Sequence, residues 1–464
     1  MNTSSQQFFK QISGKRIAFC GIGTSNLPLI KLFKDKGAVV IACDSRTKDK
    51  IGDNAKKLEQ EGIELRLGSD YLENLDVDII FRTPGMKFYT PELMQARKNG
   101  VVVTSEMETF FDLCPCKIFA VTGSDGKTTT TTIISEMLKA QGKKVYLGGN
   151  IGNPLLPYIG DISCEDVAVV ELSSFQLISM RRSPDVAIVT NLAPNHLDIH
   201  KDMTEYIDAK KNIILHQNAF GKAVLNIDNE ITNGFSNYTR GQTLFFSRKG
   251  ICENGAWLSE DGNIYMNING VNTFVMKASD ILIPGAHNIE NYLAAITSVW
   301  GYVDIECMRH VAKTFGGVEH RTEFVREING VKYYNDSIAS SPTRTASGTL
   351  SLYKQKIILI AGGYDKKIPF DELGPIIVDK VKALILMGNT ADKIETAVKN
   401  APKYSYGNPA IIRVSNMEEA VSKAHNCAIS GDIVSLSPAC ASFDLYPNFT
   451  ARGNHFKELV NNIK

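Results

Sequence analysis

The narrowest constraint on this chain is an eight-residue run, Thr122-Gly123-Ser124-Asp125-Gly126-Lys127-Thr128-Thr129, set between an apolar β-type segment and a helical stretch rich in Thr and Ala. Its glycines let the backbone turn so that successive N–H groups point at phosphate oxygens, and the following helix adds the positive end of its dipole. A lysine after the last glycine places a cation near the β and γ phosphates, and the hydroxyl after it can bind Mg²⁺. The general G-x-x-x-x-G-K-[ST] pattern would have glycine at position 121, where this chain has Val121. A glycine-containing turn before a helix is the plainer alternative. The strand–loop–helix context favours ATP-phosphate binding by Gly123, Ser124, Asp125, Gly126, Lys127, Thr128 and Thr129, and commits the chain to the α/β class.

The rest of the sequence has the same rhythm. Short apolar runs alternate with longer helical stretches, the pattern of parallel sheets covered by helices. Strands are expected at Arg16–Cys20, Val39–Asp44, Val77–Phe81 and Val101–Thr104, with helices over Leu27–Lys36 and Thr90–Asn99. A second set of strands begins at Lys117–Thr122 and continues through Lys144–Leu147, Val167–Leu172 and Val186–Thr190. The third set is Val331–Asn335, Ile357–Ala361, Ala383–Met387, Ile411–Val414 and Ile433–Leu436. Leu244–Met276 breaks the rhythm with short alternating segments and turns such as Glu253-Asn254-Gly255, and reads as inserted antiparallel hairpins. At 464 residues the length suggests about three domains. We place them at 1–113, 114–317 and 318–464: a Rossmann-like N-terminal domain, a central P-loop ATPase-like domain with an added antiparallel segment, and a Rossmann-like C-terminal domain.

Composition removes several classes of function. With 43% hydrophobic and 22% charged residues the chain can fill several cores, which excludes fibrous and disordered proteins. Lys plus Arg number 51 against 50 for Asp plus Glu, so no broad basic surface for nucleic acid or anionic lipid is expected. No apolar run approaches a membrane span, and Met1-Asn2-Thr3-Ser4-Ser5 opens no signal peptide. The nine cysteines are odd in number and scattered, and the close pair Cys114-Pro-Cys116 fits neither a zinc knuckle nor a C-x-x-C redox motif. Reduced cysteines and a cytoplasmic location are expected.

Other candidates sit at predicted strand ends, where open α/β sheets place their sites. Gly21-Ile22-Gly23-Thr24-Ser25-Asn26, with Asp44 at the end of the next strand, begins like a dinucleotide fingerprint but has Asn26 at the third glycine position. It reads equally as a generic turn or a nucleotide pocket. Glu171 closes an apolar strand and His196 lies beyond the next; with the Thr128 hydroxyl they could share divalent ions bridging to phosphates. Taken singly, Glu171 fits a metal ligand or a cap equally well, and His196 fits a structural histidine better. Lys210, in the helical stretch Thr204–His216, reads as a solvated helix lysine. Asn288 and Asn291 share a helix face, suited to a base edge or to capping. His320-Arg321, Asn335-Asp336-Ser337, Asp365-Lys366-Lys367 and Ser437–Ser442 are polar clusters that would each pass as a loop.

The ordered set T-G-S-D-G-K-T-T, V-E-L-S-S-F-Q-L, N-x-x-x-N-H-L-D, D-A-K-K, G-A-H-N-I-E-N, E-H-R-T-E, N-D-S and S-P-A-C-A-S-F-D-x-Y-x-N-F-x-x-R-G-N-x-F resembles the Mur ligases, from Gly21 to Phe456. The last stretch is particular to the D-glutamate-adding branch. The resemblance implies an ATP-dependent amide ligase of peptidoglycan synthesis acting on UDP-N-acetylmuramoyl-L-alanine and D-glutamate through an acyl phosphate, probing neither nucleic acid nor membrane and working as a monomer. It implies that Lys127 holds the ATP phosphates. Thr128, Glu171 and His196 would bind two Mg²⁺ ions, together with Lys210 as a carbamate, which reverses the reading of Lys210 from its helix alone. It further implies adenosine contacts from Asn288, Asn291, Arg321 and Asp336. Thr24, Ser25, Asp44 and Arg46 would receive the uridine part, Asn150 the rest of that substrate, and Lys366, Ser442 and Phe449 the incoming amino acid. Two positions depart from many relatives: Ile338 stands where they carry lysine, and Asn195 where they carry an acid.

Three rivals are disfavoured. A sister ligase or folylpolyglutamate synthase would lack the S-P-A-C-A-S stretch. A nucleotide-gated binding protein would not need Glu171 and His196 beside the loop. An oxidoreductase would complete the fingerprint that Asn26 interrupts.

Overall fold

The apolar runs form twenty strands among the described residues of the computed structural model, which describes residues 3–194 and 199–463. The first sheet takes β1 (Arg16–Cys20), β2 (Val39–Asp44), β3 (Glu64–Leu67), β4 (Ile79–Arg82) and β5 (Val102–Thr104), all parallel, in the order β3-β2-β1-β4-β5. The strand order reverses between β1 and β4, and such a switch point opens a crevice at the carboxyl ends.

The second sheet has nine strands: β6 (Lys117–Thr122), β7 (Val145–Gly149), β8 (Val167–Glu171), β9 (Val186–Val189), β10 (Lys222–Asn226), β11 (Gln242–Ser247), β12 (Gly255–Leu258), β13 (Asn263–Ile268) and β14 (Val271–Lys277). Their order is β14-β13-β12-β11-β10-β9-β6-β8-β7, which places β6 inside the sheet between β9 and β8. Every residue of β8, β9 and β10 is buried, as expected of parallel strands covered on both faces.

The hairpin expectation for Leu244–Met276 holds only from β12 onward. β11 pairs parallel with both β10 and β12, and only β12–β13 and β13–β14 are antiparallel. The reason lies at Gly255, whose φ of +148° and close approach to the Phe245 carbonyl leave no room for a Cβ. The chain there swings back and re-enters beside β11 in the same direction.

The third sheet comprises β15 (Glu323–Ile328), β16 (Val331–Asn335), β17 (Ile357–Ala361), β18 (Val381–Leu386), β19 (Ala410–Arg413) and β20 (Ile433–Leu436), in the order β15-β16-β20-β17-β18-β19. Only the edge strand β15 is antiparallel.

These sheets are divided between two compact units. One runs to Asp280 and resumes over Ile289–Ala312, and the other holds Ile281–Asn288 and the chain from Lys313. Within the first unit, one apolar cluster is shared by the first two sheets. It includes Phe19, Phe33, Phe81, Phe110, Ile118 and Val170, with the Phe33 ring edge-on to Phe19 at 5.2 Å and to Phe81 at 5.1 Å. The third sheet has apolar clusters of its own, centred on residues such as Leu359 and Leu384 in one and Ile360 and Val434 in the other.

Candidate active site

The carboxyl end of β6 delivers the phosphate loop. Gly123 has φ +152° and Gly126 φ +76°, and a Cβ would overlap the Thr190 hydroxyl at the first and the Asn291 side-chain oxygen at the second. The end of β9 braces the loop. Asn191 accepts from the Ser124 and Asp125 N–H groups at 2.8 and 2.9 Å, while the Thr190 hydroxyl donates to the Asp125 carbonyl at 2.6 Å. The Ser124 hydroxyl donates to the Ala193 carbonyl and lies 2.9 Å from the Tyr206 hydroxyl. Asp125 is exposed, and Thr129 sits half-buried in the first turn of the fourteen-residue helix Lys127–Ala140. Lys127 Nζ donates to the Gly123 and Ser124 carbonyls at 2.9 Å each, which holds the cation over the loop.

Two further groups converge here. Glu171 ends β8 with only 2% of its surface exposed; its Oε2 accepts from the Thr128 hydroxyl at 2.6 Å and its Oε1 from the Asn150 amide at 2.7 Å. Parallel pairing fixes this meeting, because Glu171 stands opposite Val121 on β6 and Gly149 on β7. Lys210, on the helix Met203–Leu215, is equally buried, and its Nζ donates to the Thr122 hydroxyl at 3.1 Å and the Gly123 carbonyl at 2.9 Å. Burial first, and repulsion from Lys127 second, bring its pKa down to about 7. The solvated-lysine reading of its helix is therefore overturned. His196 lies outside the described residues.

Among the described residues no three His, Cys, Asp or Glu side chains form a metal cluster. One carboxylate and one hydroxyl beside a phosphate loop nevertheless suit Mg²⁺, which keeps several waters and is held by one or two carboxylates plus substrate phosphates. Asn291 is buried, accepts from the Thr130 hydroxyl at 3.2 Å and rests against Gly126, which ties the helix Ala286–Val299 to the loop.

In the first sheet, Asp44 accepts from the Ile22 N–H at 2.7 Å and from Arg46 through Nε at 2.9 Å and Nη2 at 2.8 Å. Burial opposes its ionisation, but these donors prevail and hold its carboxyl below the usual range. Gly21, Gly23, Asp44, Arg46, Tyr71 and Thr83 line a cavity of about 440 Å³ at the switch point. A second, of about 620 Å³, is walled by Pro84, Phe88, Phe175, Ile178 and His200; Gly85, Met86, Lys87 and Thr90 border both. Thr24 is exposed and Ser25 half-buried, and neither lines these cavities. Asn26 is not a failed glycine: its buried amide donates to the Cys20 and Gly21 carbonyls at 3.1 and 3.2 Å and locks the turn.

The remaining expected residues belong to the second unit. Asn288 donates to the Pro284 carbonyl at 2.6 Å, and Arg321 is exposed. Asp336 is buried and accepts from the Thr349 and Ser437 hydroxyls at 2.6 and 3.1 Å, with burial raising its pKa. Lys366 is exposed, 3.4 Å from the Ser340 carbonyl; Ser442 is buried; Phe449 is 37% exposed, edge-on to His320 at 5.9 Å. Sequence reasoning assigned nothing to Arg452. It is 1% exposed and donates to the Ser337 hydroxyl and carbonyl and to the Cys440 and Ala441 carbonyls, at 2.8–3.1 Å, so it splices the N-D-S and S-P-A-C-A-S loops. Its signal was the R-G-N that closes the last motif.

Known protein families match this chain in three stretches. Three family models match: the MurD-like N-terminal domain over residues 15–105, the Mur ligase middle domain over 121–299, and the Mur ligase glutamate ligase domain over 320–440. A protein of Acetivibrio thermocellus named UDP-N-acetylmuramoylalanine--D-glutamate ligase is 53% identical, and one of the same name from Clostridium botulinum 50%, each over all of both chains. Among solved structures, the UDP-N-acetylmuramate-alanine ligase MurC of Thermotoga maritima aligns with TM-score 0.56 at 18% identity over 97% of this chain and 100% of that one. A pseudomurein peptide ligase type C from Methanothermus fervidus aligns with TM-score 0.52 at 18% identity over the same shares. At such identities these structures establish the fold.

Proposed function

This chain belongs to the Mur ligase family, and from that premise we propose that it joins D-glutamate to UDP-N-acetylmuramoyl-L-alanine with hydrolysis of ATP to ADP and phosphate. The observation that carries the proposal is the convergence of Lys127, Thr128 and Glu171 at the amino end of the helix Lys127–Ala140. It occurs in a chain about half identical, end to end, to ligases of that name.

An oxygen of the alanyl carboxylate attacks the γ-phosphorus, ADP departs, and an acyl phosphate results. The uncharged amine of D-glutamate then attacks the acyl carbon, phosphate leaves, and the nitrogen gives up its proton as the amide forms. Phosphoryl transfer depends chiefly on positioning and on neutralising charge. The helix terminus and Lys127 supply positive charge on the protein side, and the braces from Thr190 and Asn191 hold the loop in shape before substrate arrives.

Mur ligases depend on ATP and generally on Mg²⁺. When bound, Mg²⁺ supplies further neutralisation of the transferring group, and Thr128 and Glu171 would hold it. A carbamate on Lys210, with His196, would complete the oxygen and nitrogen donors for a second ion. A carbamate forms only on the neutral amine, and the burial that brings Lys210 to about pH 7 favours that form.

The adjoining cavities bounded by Gly85 and Lys87 are suited to the nucleotide and sugar of the first substrate, with Arg46 and Asp44 at the uridine end, Thr24 and Ser25 beside it, and Asn150 toward the metal. Lys366, Ser442 and Phe449 are assigned to D-glutamate, and Asn288, Asn291, Arg321 and Asp336 to adenosine. We assign the domains to 1–113, 114–317 and 318–464, the state to a monomer, and the compartment to the cytoplasm; no helix among the described residues is long and apolar enough to cross a membrane.

Phosphate release with UDP-N-acetylmuramoyl-L-alanine, comparing D-glutamate with L-glutamate and other amino acids, tests the assignment. Release should require D-glutamate and vanish in Lys127→Ala. Equal release with another amino acid, or normal turnover in that variant, would refute it.

A further inference from the structure

The close cysteine pair that the sequence left without a role is a pair in space. Cys114 and Cys116 flank Pro115 on the link between the helix Glu106–Leu113 and β6, and their sulfurs are 3.5 Å apart. The two are not equivalent. Cys114 is partly exposed and Cys116 is buried behind it. Both line a polar cavity of about 440 Å³ that also admits Arg182 and His216. An accessible sulfur in contact with a concealed one, both lining the same recess, has the arrangement of an attacking and a resolving thiol. The hydrogen bond between them acts in the same sense. The contact between the two sulfurs lowers the pKa of Cys114 and raises that of Cys116.

A second pair in the same unit shows what the recess adds. Cys20 and Cys43 stand opposite each other on β1 and β2, but both are fully buried and the Cys20 pKa is pushed well up, so no oxidant can reach a thiolate there.

We propose that Cys114 and Cys116 form a redox-active dithiol site whose co-reactant is a low-molecular-weight disulfide. The Cys114 thiolate attacks one sulfur of the small disulfide, a mixed disulfide forms, and the first small thiolate leaves. Cys116 then loses its proton and attacks the Cys114 sulfur, and the second small thiolate leaves. Two protein thiols are oxidised to one internal disulfide, and one small disulfide is reduced to two thiols. The bridge would close immediately before β6, the strand that leads into the phosphate loop.

The test is incubation of the full chain with oxidised and reduced glutathione at graded ratios, quenching by alkylation, and peptide mass spectrometry. The bridged peptide Cys114–Cys116 should appear at ratios that leave the exposed Cys164 a free thiol, with two of the nine thiols lost, and dithiothreitol should restore both. Cys116→Ser should stop at a glutathione adduct on Cys114, and Cys114→Ser should leave Cys116 unmodified. The wild-type bridge stands as a test even if a variant folds poorly. A glutathione adduct on Cys114 persisting in the wild-type chain, a Cys114–Cys164 bridge, or modification no faster than that of Cys164 would each overturn the proposal.

Discussion

Exchanging Lys210 for methionine removes a charge that the fold holds at a cost, and the structure sets the size of the effect. Burial first, then the Lys127 ammonium, lower the Lys210 pKa from the ordinary 10.5 to about 7, with Glu171 opposing. The unfolded chain keeps its proton to the higher value. A difference of roughly 3–4 pH units therefore corresponds to about 5 kcal/mol against the folded state wherever both states are protonated. Between about pH 7 and 10 the unfolded chain binds more protons, so wild-type stability rises with pH across that window. Below it the full penalty applies, and above it none does.

Methionine is of similar length and uncharged, and it forfeits two hydrogen bonds. Neither partner is orphaned, because the Thr122 hydroxyl still donates to the Leu172 carbonyl at 2.8 Å and the Gly123 carbonyl still accepts from Lys127. The loss is thus about 1–2 kcal/mol. Lys210→Met should be more stable than wild type by about 3 kcal/mol at pH 6, an advantage that shrinks by about 1.4 kcal/mol per pH unit above 7 and vanishes between about pH 9 and 10. Its ligase activity should be lost, which places the residue among those that trade stability for chemistry. Urea unfolding of both proteins in bicarbonate-free buffers from pH 6 to 9 measures the difference. A difference constant in pH, or a variant less stable than wild type at pH 6, would refute the reasoning.

Glu171→Gln keeps the shape of the group held by Thr128 and Asn150 but removes its charge, so the Mg²⁺ concentration for half-maximal activity should rise at least tenfold. Because Glu171 raises the Lys210 pKa, the acid limb of the pH–rate profile should move to lower pH in the same variant. Lys366→Ala should raise KM for D-glutamate by about tenfold with little change for ATP, as for a lost charge-assisted hydrogen bond; equal shifts for both substrates would mean a structural role. Arg452→Lys cannot reproduce the fork that reaches Ser337, Cys440 and Ala441 together, so it should lower Tm and raise KM for D-glutamate, both measurable in one preparation.

The sequence was most legible where one physical signal acted alone. β1, β2, β6, β16, β17 and β20 lie where short runs rich in apolar and aromatic residues put them. β3, with a charge at every second position, and the edge strand β15 offered no such run, and β10 hid behind a lysine whose ammonium reaches the Trp300 carbonyl at 3.0 Å. In the site, the loop glycines were readable because only glycine tolerates those angles. Lys210 was not readable from its helix, since periodicity cannot say that the polar face of Met203–Leu215 packs under a phosphate loop; only the family resemblance pointed there. The partners of Arg452 come from loops that meet across the fold, whereas Cys114 and Cys116 are near neighbours in sequence whose contact and unequal burial are set by the path of the link at Pro115.

The pairing of Glu171 with Val121 on one side and Gly149 on the other bears on how the molecule comes into being. Thr128, Asn150 and Glu171 arrive on separate strand–loop connections, and no short segment of the chain can rehearse their geometry. A slip of one residue in β8 would displace the carboxylate by about 3.3 Å and turn it to the opposite face of the sheet. Competence is therefore all or none with respect to sheet assembly, and parallel pairing of this kind waits on the closure of long loops. A chain still emerging during synthesis has no ATP-consuming fragment to release, and nucleotide binding becomes a natural reporter that β7, β8 and β6 have locked in register.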